Sequence, residues 1–287
     1  MPSLIFILFV LTALAIITIL FRQKTTEGFT QKESFTLKMD GDSYDDFYAK
    51  IYDKLHLPED RAKKELSQIL KITGADDNSV FLDVGSGTGE TLRELADSGA
   101  KCVGVEKSPD MVAMSKAKTD APVKQADVLD PMAFERVQFT HILCLYHTIY
   151  EIENKGQFFS NCRYWLRGGG YLVLHLVDKD RFNTIVPVGT PMLLDNPQKY
   201  ADKRIVRTEV EFDNFNYNAK YDICDKCTAS FVETFTDGAT QKVRQNERTL
   251  YMDSENDILN MAGKCGFTLV GKSVMENDEH QAFYILS

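Results

Sequence analysis

The sequence predicts an α/β fold: a mostly parallel, doubly wound sheet covered by helices, an antiparallel β insert, and a transmembrane helix at the amino terminus. Three observations predict it. Short apolar runs alternate with helical segments between residues 80 and 177, a period-two texture takes over from Arg204 to Met252, and Leu4 to Phe21 is an uncharged apolar stretch whose only polar members are Thr12 and Thr18. The first pattern belongs to strands buried on both faces and the second to strands with one wet face. The third is about one bilayer crossing long.

Taken in chain order, residues 1–22 read as the anchor. Arg22, Lys24 and Lys32 flank the apolar run on its carboxyl side, so the positive-inside rule places the remainder in the cytosol, tethered to a membrane through residues 4–21. A cleaved signal peptide would want a basic start, a shorter apolar run and a small-residue cleavage site, and none is clear. Residues 23–42 are polar and aperiodic, a linker to a folded domain over 43–287. In that domain Pro58 opens a helix whose Ala62, Leu66, Ile69 and Leu70 share a face. Strands follow at Val80 to Val84, Lys101 to Glu106, Pro122 to Ala126, Phe139 to Tyr146 and Tyr171 to Val177. The intervening helices run from Thr88 to Asp97, from Pro109 to Lys118, and around Phe158 to Leu166. Residues 179–252 form the insert, which turns at Asp237-Gly238. Ser254 and Asp257 read as a capping box, Gly266 ends the helix they start, and strands at Phe267 to Val274 and Gln281 to Leu286 finish the chain.

Composition narrows the function. With 44% apolar and 26% charged residues, disordered, collagenous and disulfide-scaffold classes are excluded. A net charge of -9 has the wrong sign for a protein that tracks a phosphate backbone, so no DNA partner is expected. The six cysteines, with no Asn-x-Ser/Thr acceptor in the chain, suit reduced thiols. Cys224 and Cys227 make one isolated Cys-x-x-Cys, and Cys102, Cys144 and Cys265 sit in apolar stretches. His56, His141 and His280 show no metal-ligand spacing, and no metal is expected.

The chemistry concentrates in Phe81-Leu-Asp-Val-Gly-Ser-Gly-Thr-Gly-Glu90, a hydrophobic strand that ends in a glycine-rich turn and enters a helix. Gly85, Gly87 and Gly89 permit backbone angles closed to other residues, and the amides at the helix start favour an anionic group. The spacing is not the Gly-x-Gly-x-x-Gly that suits a dinucleotide pyrophosphate. Glu106 ends the second strand, where a carboxylate can accept from both hydroxyls of a ribose, and Asp127 closes the third strand at the same edge. A flavin or nicotinamide enzyme rests on the same ribose argument.

These residues resemble the class I S-adenosylmethionine-dependent methyltransferases. Asp83-Val-Gly-Ser-Gly-Thr-Gly89 is similar to the family's first motif, Gly104 to Met111 to the next segment, and Gln125-Ala-Asp-Val128 to its adenine-contacting turn. Leu166-Arg-Gly-Gly-Gly-Tyr-Leu-Val173 is similar to the turn before its fifth strand. The resemblance covers about Tyr44 to Asp178 and resumes from Arg248 to the end. It implies a seven-stranded Rossmann-like sheet of order 3-2-1-4-5-7-6 and S-adenosylmethionine as cofactor. It further implies that Asp83, Gly85 and Gly87, with Gly89 in the same turn, surround the methionine part. Glu106 would hold the ribose, Met111 would pack on adenine, and Asp127 with Val128 would meet its amino edge. Tyr48 and Tyr52, four apart on an amino-terminal helix, would cover the cofactor or else cap the core.

Methyl transfer from a sulfonium is an in-line displacement whose main demand is alignment, and a hydroxyl acceptor adds a use for a general base. His147, just past the fourth strand, is the preferred base, with His175 and Asp178 as further candidates; Tyr146 and Tyr150 would shape an acceptor pocket. Cys144-Leu-Tyr-His-Thr-Ile-Tyr150 lacks the Asn/Asp-Pro-Pro-aromatic segment of adenine-modifying members. Phe212, Phe215, Tyr217 and Tyr221 of the insert would line a pocket or build the insert's own core. The expected activity is methylation of a small-molecule or lipid-like acceptor, with a protein methyltransferase or a non-catalytic cofactor-binding scaffold as alternatives.

Overall fold

Strand β2 (Val80–Val84) is buried from Phe81 onward, and β5 (Phe139–Cys144) at every position but Thr140. Strands of that kind need cover on both faces, and they form the centre of the larger sheet. The computed structural model describes residues 29, 31–190, 197–224, 227–276 and 278–287. In it β2 pairs in parallel with β5 on one side and with β3 (Lys101–Glu106) on the other. Beyond these lie β4 (Val123–Gln125) and β6 (Leu166–Val177), again parallel. Two antiparallel pairings add β12 (Asp278–Leu286) and β11 (Leu269–Met275), so the seven strands run β11-β12-β6-β5-β2-β3-β4. From β2 the chain adds strands outward first on one side, as β3 and β4, and then on the other, as β5 and β6, so the winding reverses between β2 and β5. Ligands of open α/β sheets bind at such a switch point, beyond the carboxyl ends of the strands.

The helices have identifiable start signals. Helix α1 (Asp46–His56) is capped by Asp45, whose carboxylate accepts from Tyr48 N. Proline opens α2 (Pro58–Thr73), and Gly74 at φ 63° closes it. Helix α3 (Glu90–Asp97) follows the glycine turn, and Ser108 caps α4 (Pro109–Lys118) by accepting from Met111 N at 3.1 Å. The short α5 (Thr148–Glu151) follows β5, Asn154 caps α6 (Lys155–Trp165), and Ser254 caps α7 (Glu255–Lys264). Trp165, Phe158 and Phe159 are fully buried under the sheet, where the Trp165 indole N–H donates to Pro131 O at 3.2 Å.

A second sheet of five strands runs β1-β10-β9-β8-β7, comprising β1 (Phe35–Met39), β7 (Arg207–Glu211), β8 (Phe215–Ile223), β9 (Thr228–Asp237) and β10 (Val243–Tyr251). Period two decides which side faces inward: Phe215, Tyr217 and Ala219 are buried and pack against Tyr48, Ala49 and Ile51 of α1 and against Met111. Phe215 and Tyr217 therefore belong to a shared core and do not line a pocket, whereas Tyr221 reaches the cleft.

Two expectations are corrected. Among the described residues no helix is long and apolar enough to cross a membrane. Residues 4–21, on which the transmembrane helix and the membrane location rested, lie outside the described residues, and neither reading is retained. Phe35–Met39, inside the stretch read as a linker, is instead β1, paired in parallel with β10 from Phe35↔Val243 to Met39↔Glu247. Its five-residue alternation is too short to stand out in a polar stretch, and a partner two hundred residues away completes it. Strand β6 also begins at Leu166, ahead of the apolar run at Tyr171, because its exposed Arg167–Gly170 segment carries no hydrophobic signal.

Candidate functional site

The glycine turn leaves β2 with Gly85, Gly87 and Gly89 at φ 64°, 53° and 84°, angles that L side chains rarely adopt. A Cβ on Gly85 would lie 2.6 Å from Thr148 Cγ2, so this glycine also allows α5 to close on the turn. Gly87 meets nothing nearer than Gly85 O at 3.9 Å and leaves its main chain open to a ligand. Gly89 departs from the expectation. A Cβ there would strike Ser115 Oγ at 2.1 Å, and the residue lies against α4 rather than in the cleft.

Glu106 is held by two backbone donors, Gly87 N at 3.0 Å and Ser108 N at 2.8 Å. Burial raises its pKa against the pull of those N–H groups. Beneath the turn, buried Asp83 is pushed up to about 8, first by desolvation and then by the charge of Glu106. Asp127, Val128 and Met111 line the same edge. Asp127 accepts from Leu129 N at 2.9 Å and pairs with Lys107 at 2.9 Å, which together outweigh its burial and lower its pKa.

At the other end of the turn stand residues that sequence reasoning missed. The Arg61 guanidinium lies 3.3 Å from the centroid of the Tyr146 ring, and its Nε is buried without a hydrogen-bond partner. One helical turn on, both carboxyl oxygens of Glu65 are buried and unpartnered, and burial pushes its pKa up to about 7. Tyr52 lines this region, but Tyr48 does not. Tyr48 is fully buried, with its hydroxyl donating to Glu233 at 3.0 Å, so it belongs to the network that supports the wall. In the sequence Arg61 and Glu65 sit among Lys63 and Lys64 and read as a solvated face; the available signal was Glu65 beside the apolar Ala62–Leu66–Ile69 stripe.

After β5 the backbone makes two successive left-handed steps, Tyr146 at φ 54° and His147 at φ 97°. Non-glycine residues pay strain for this conformation, and here it turns both rings into the cleft. Burial, then the Arg61 charge, lowers the His147 pKa to about 4, so its ring is neutral at pH 7. Its centroid lies 5.3 Å from that of His175, which is also buried and is bonded through Nε2 to Gln281 at 2.9 Å. Tyr150 and Asp178 are corrected as pocket residues. Tyr150 is fully buried with its hydroxyl accepting from Val177 N at 2.9 Å, and Asp178 pairs with Arg181 outside the cleft.

The far wall is assembled from α1 and the insert. Arg248 is held by Glu233 at 2.7 Å and by the Tyr48 hydroxyl at 3.1 Å, with the Tyr44, Tyr48 and Phe231 rings 5.0 to 5.1 Å from its guanidinium carbon. Its Nη1 is buried without a partner. Tyr217 also donates to Glu233, at 2.6 Å. Beside Arg248 the Tyr44 hydroxyl donates to Glu151 at 2.5 Å. The nucleoside edge, the Arg61 end and this wall enclose one cleft of about 2370 Å³. A pocket for one small ligand needs roughly 300–1,000 Å³, so there is room for two.

A strand-end acid on each side of a glycine turn, at the switch point of a mixed seven-stranded sheet, places the chain in the Rossmann-like class of α/β folds. Residues 82–174 match the family model described as a methyltransferase domain. Over those residues the chain carries a methyltransferase domain. A search of curated proteins finds no match. Among solved structures, an S-adenosylmethionine-dependent methyltransferase from Clostridium acetobutylicum ATCC 824 is 16% identical with a TM-score of 0.64, covering 84% of this chain and 97% of that one. The sugar N-methyltransferase KedS8 from Streptoalloteichus sp ATCC 53650 is 20% identical with a TM-score of 0.57, covering 84% and 91%. S-adenosylmethionine-bound CalS10, an amino pentose methyltransferase from Micromonospora echinaspora, is 16% identical with a TM-score of 0.56, covering 79% and 90%. At these identities the likeness is one of fold.

The residues present fit the S-adenosylmethionine that the sequence resemblance implies. The open main chain at Gly87, the carboxylate of Glu106 and the unpartnered polar atoms of Arg61 and Glu65 offer complementary groups along one trough.

Proposed function

We propose that the protein methylates a small polar molecule bound in the cleft between the carboxyl edge of the parallel sheet and the Arg248 wall. The observation that carries this reading is the chemistry of that wall: Arg248, Glu151, Tyr44 and His147 face the space beside the nucleoside edge, where a lipid-like acceptor would want an apolar lining. The printed descriptions of KedS8 and CalS10, a sugar and an amino pentose methyltransferase, are in keeping with it.

Within this reading Glu106 holds the ribose, Asp127 and Val128 meet the adenine edge, Met111 packs beneath it, and Tyr52 covers the methionine part. Arg61 takes the methionine carboxylate, while Asp83 and the amides of Gly85 and Gly87 shape that end. The cofactor supplies a methyl group on a positive sulfur, and the protein's share is alignment and exclusion of water. His147, neutral but a weak base, shapes the acceptor site more than it moves a proton.

The test is transfer of labelled methyl from S-adenosylmethionine to a panel of free sugars and amino alcohols, with calorimetry of S-adenosylhomocysteine binding alongside. Label in small products supports the reading. Cofactor binding with label recovered only in added protein would overturn it.

A further inference from the structure

We propose that the acceptor atom is an amine nitrogen and that Glu151 is the catalytic residue that binds it as an ammonium and takes its proton. The proposal deepens the small-molecule reading above and rests on it. Glu151 ends α5, directly past the Tyr146–His147 turn, with its side chain open to the cleft. One carboxylate oxygen is fixed by the Tyr44 hydroxyl, and among the described residues no hydrogen bond holds the other.

Two other acids of the site already have cations, Asp127 with Lys107 and Glu233 with Arg248; Glu106 is taken up by backbone N–H groups, and Glu65 stands at the far, Arg61 end. Among the described residues no lysine or arginine forms an ion pair with Glu151. Arg248 lowers its pKa from a distance, but that charge is matched by Glu233 and enclosed by three rings. Glu151 and Glu106 line the same cleft, and the charge of Glu151 is felt at Glu106.

An ammonium at Glu151 forms a hydrogen bond in which donor and acceptor are both ionised, adding an ion-pair attraction that a hydroxyl bound to the same carboxylate lacks. The buried Nη1 of Arg248 can donate to an oxygen of the same molecule. An amino alcohol, such as an amino sugar, satisfies both. The groups facing Glu151 are Tyr44 and Asp40 before α1, Glu233 on β9 and Arg248 on β10, and desolvation between the cleft walls with the two acids holds its carboxyl above the ordinary range. That narrows the gap to the amine across which the proton must move. His147 is less suited, because Arg61 opposes any cation beside it.

The step balances. The ammonium proton passes to the free oxygen of Glu151, and the freed nitrogen lone pair forms the N–CH3 bond as the C–S bond breaks with its electrons left on sulfur. The product departs as a methylammonium ion, and Glu151 returns its proton to solvent.

The test uses the full chain, labelled S-adenosylmethionine and matched acceptors: glucosamine against glucose, galactosamine against galactose, ethanolamine against ethylene glycol. Label should enter only the amines. Glu151→Gln should lower kcat on them by about 10²-fold or more, a general base contributing roughly 10²–10⁴. Glu151→Asp should recover part of the loss, and S-adenosylhomocysteine affinity should stay within about twofold in both variants. Equal labelling of the hydroxyl partners, or a Glu151→Gln enzyme as fast as wild type on amines, would overturn the amine assignment while leaving the small-molecule reading intact. Labelling of neither set, with the cofactor still bound, would sink both.

Discussion

The two sides of the cleft are built by different logic. The proposed cofactor side is a run of adjacent strand ends, where Asp83, Gly85, Gly87, Glu106 and Asp127 lie at or just past the ends of β2, β3 and β4 and converge because parallel strands end at one edge. The acceptor side has no such edge. Arg248 meets Tyr48 across 200 residues and Tyr44 meets Glu151 across 107, so the wall exists only when α1 and the insert dock on the sheet. The lesson is that local chemistry can make a nucleoside site, whereas the acceptor site depends on a buried charged network that must be satisfied to form at all.

The largest expected effect follows from that dependence. Glu233 is fully buried and accepts from Tyr48, Tyr217 and Arg248. Glu233→Ala leaves a buried guanidinium uncompensated and should destabilise the protein by about 3–5 kcal/mol in urea titrations. Replacing both partners, Glu233→Ala with Arg248→Met, should be considerably milder, since no charge is then stranded. In native buffer the folded fraction of either variant should bind S-adenosylhomocysteine within about threefold of wild type. Loss of cofactor binding in step with stability would show that the two sides are not separable.

The same contrast explains what was readable in the chain. Strands β2 and β3 and helix α4 fall at the boundaries expected from their apolar runs and start signals, because short buried strands and proline-opened helices are encoded by neighbours. Glu106 and Asp127 were legible for the same reason. Arg61, Glu65, Glu151 and Arg248 were not: each looks like an ordinary surface charge until a ring or acid from another element comes against it. Tyr150 failed in the opposite direction. Its place after β5 suggested a pocket residue, but the helical turn of α5 points it inward to Val177, while the positive φ of the preceding pair turns Tyr146 and His147 outward.

Tyr150→Phe sharpens that point. Its hydroxyl accepts from Val177 N at 2.9 Å in a buried site, so removal strands a backbone donor at the end of β6 and should destabilise by about 1–3 kcal/mol. A drop in thermal midpoint with KM for acceptor and cofactor unchanged is the expected result. A large rise in acceptor KM would return Tyr150 to the pocket and move the boundary between the two sides.

The smallest effect lies within the cofactor side and concerns a proton. Asp83 has a folded-state pKa raised from an ordinary 3.8 to about 8, so at pH 7 the free protein holds its carboxyl largely protonated. The sign follows from linkage: the stability carried by this proton is complete below 3.8 and is lost as pH rises through about 8. A sulfonium placed nearby favours the carboxylate, so binding S-adenosylmethionine releases a proton. Affinity should then rise with pH toward about 8 and level off above it, by at most about tenfold per pH unit. Calorimetry at pH 7 in phosphate and in Tris, whose ionisation heats differ, reads the released proton directly. S-adenosylhomocysteine, with a neutral sulfur, should release less of it, and Asp83→Asn should abolish the difference between buffers. Identical heats for wild type in both buffers would mean that Asp83 keeps one protonation state through binding and is not coupled to the ligand's charge.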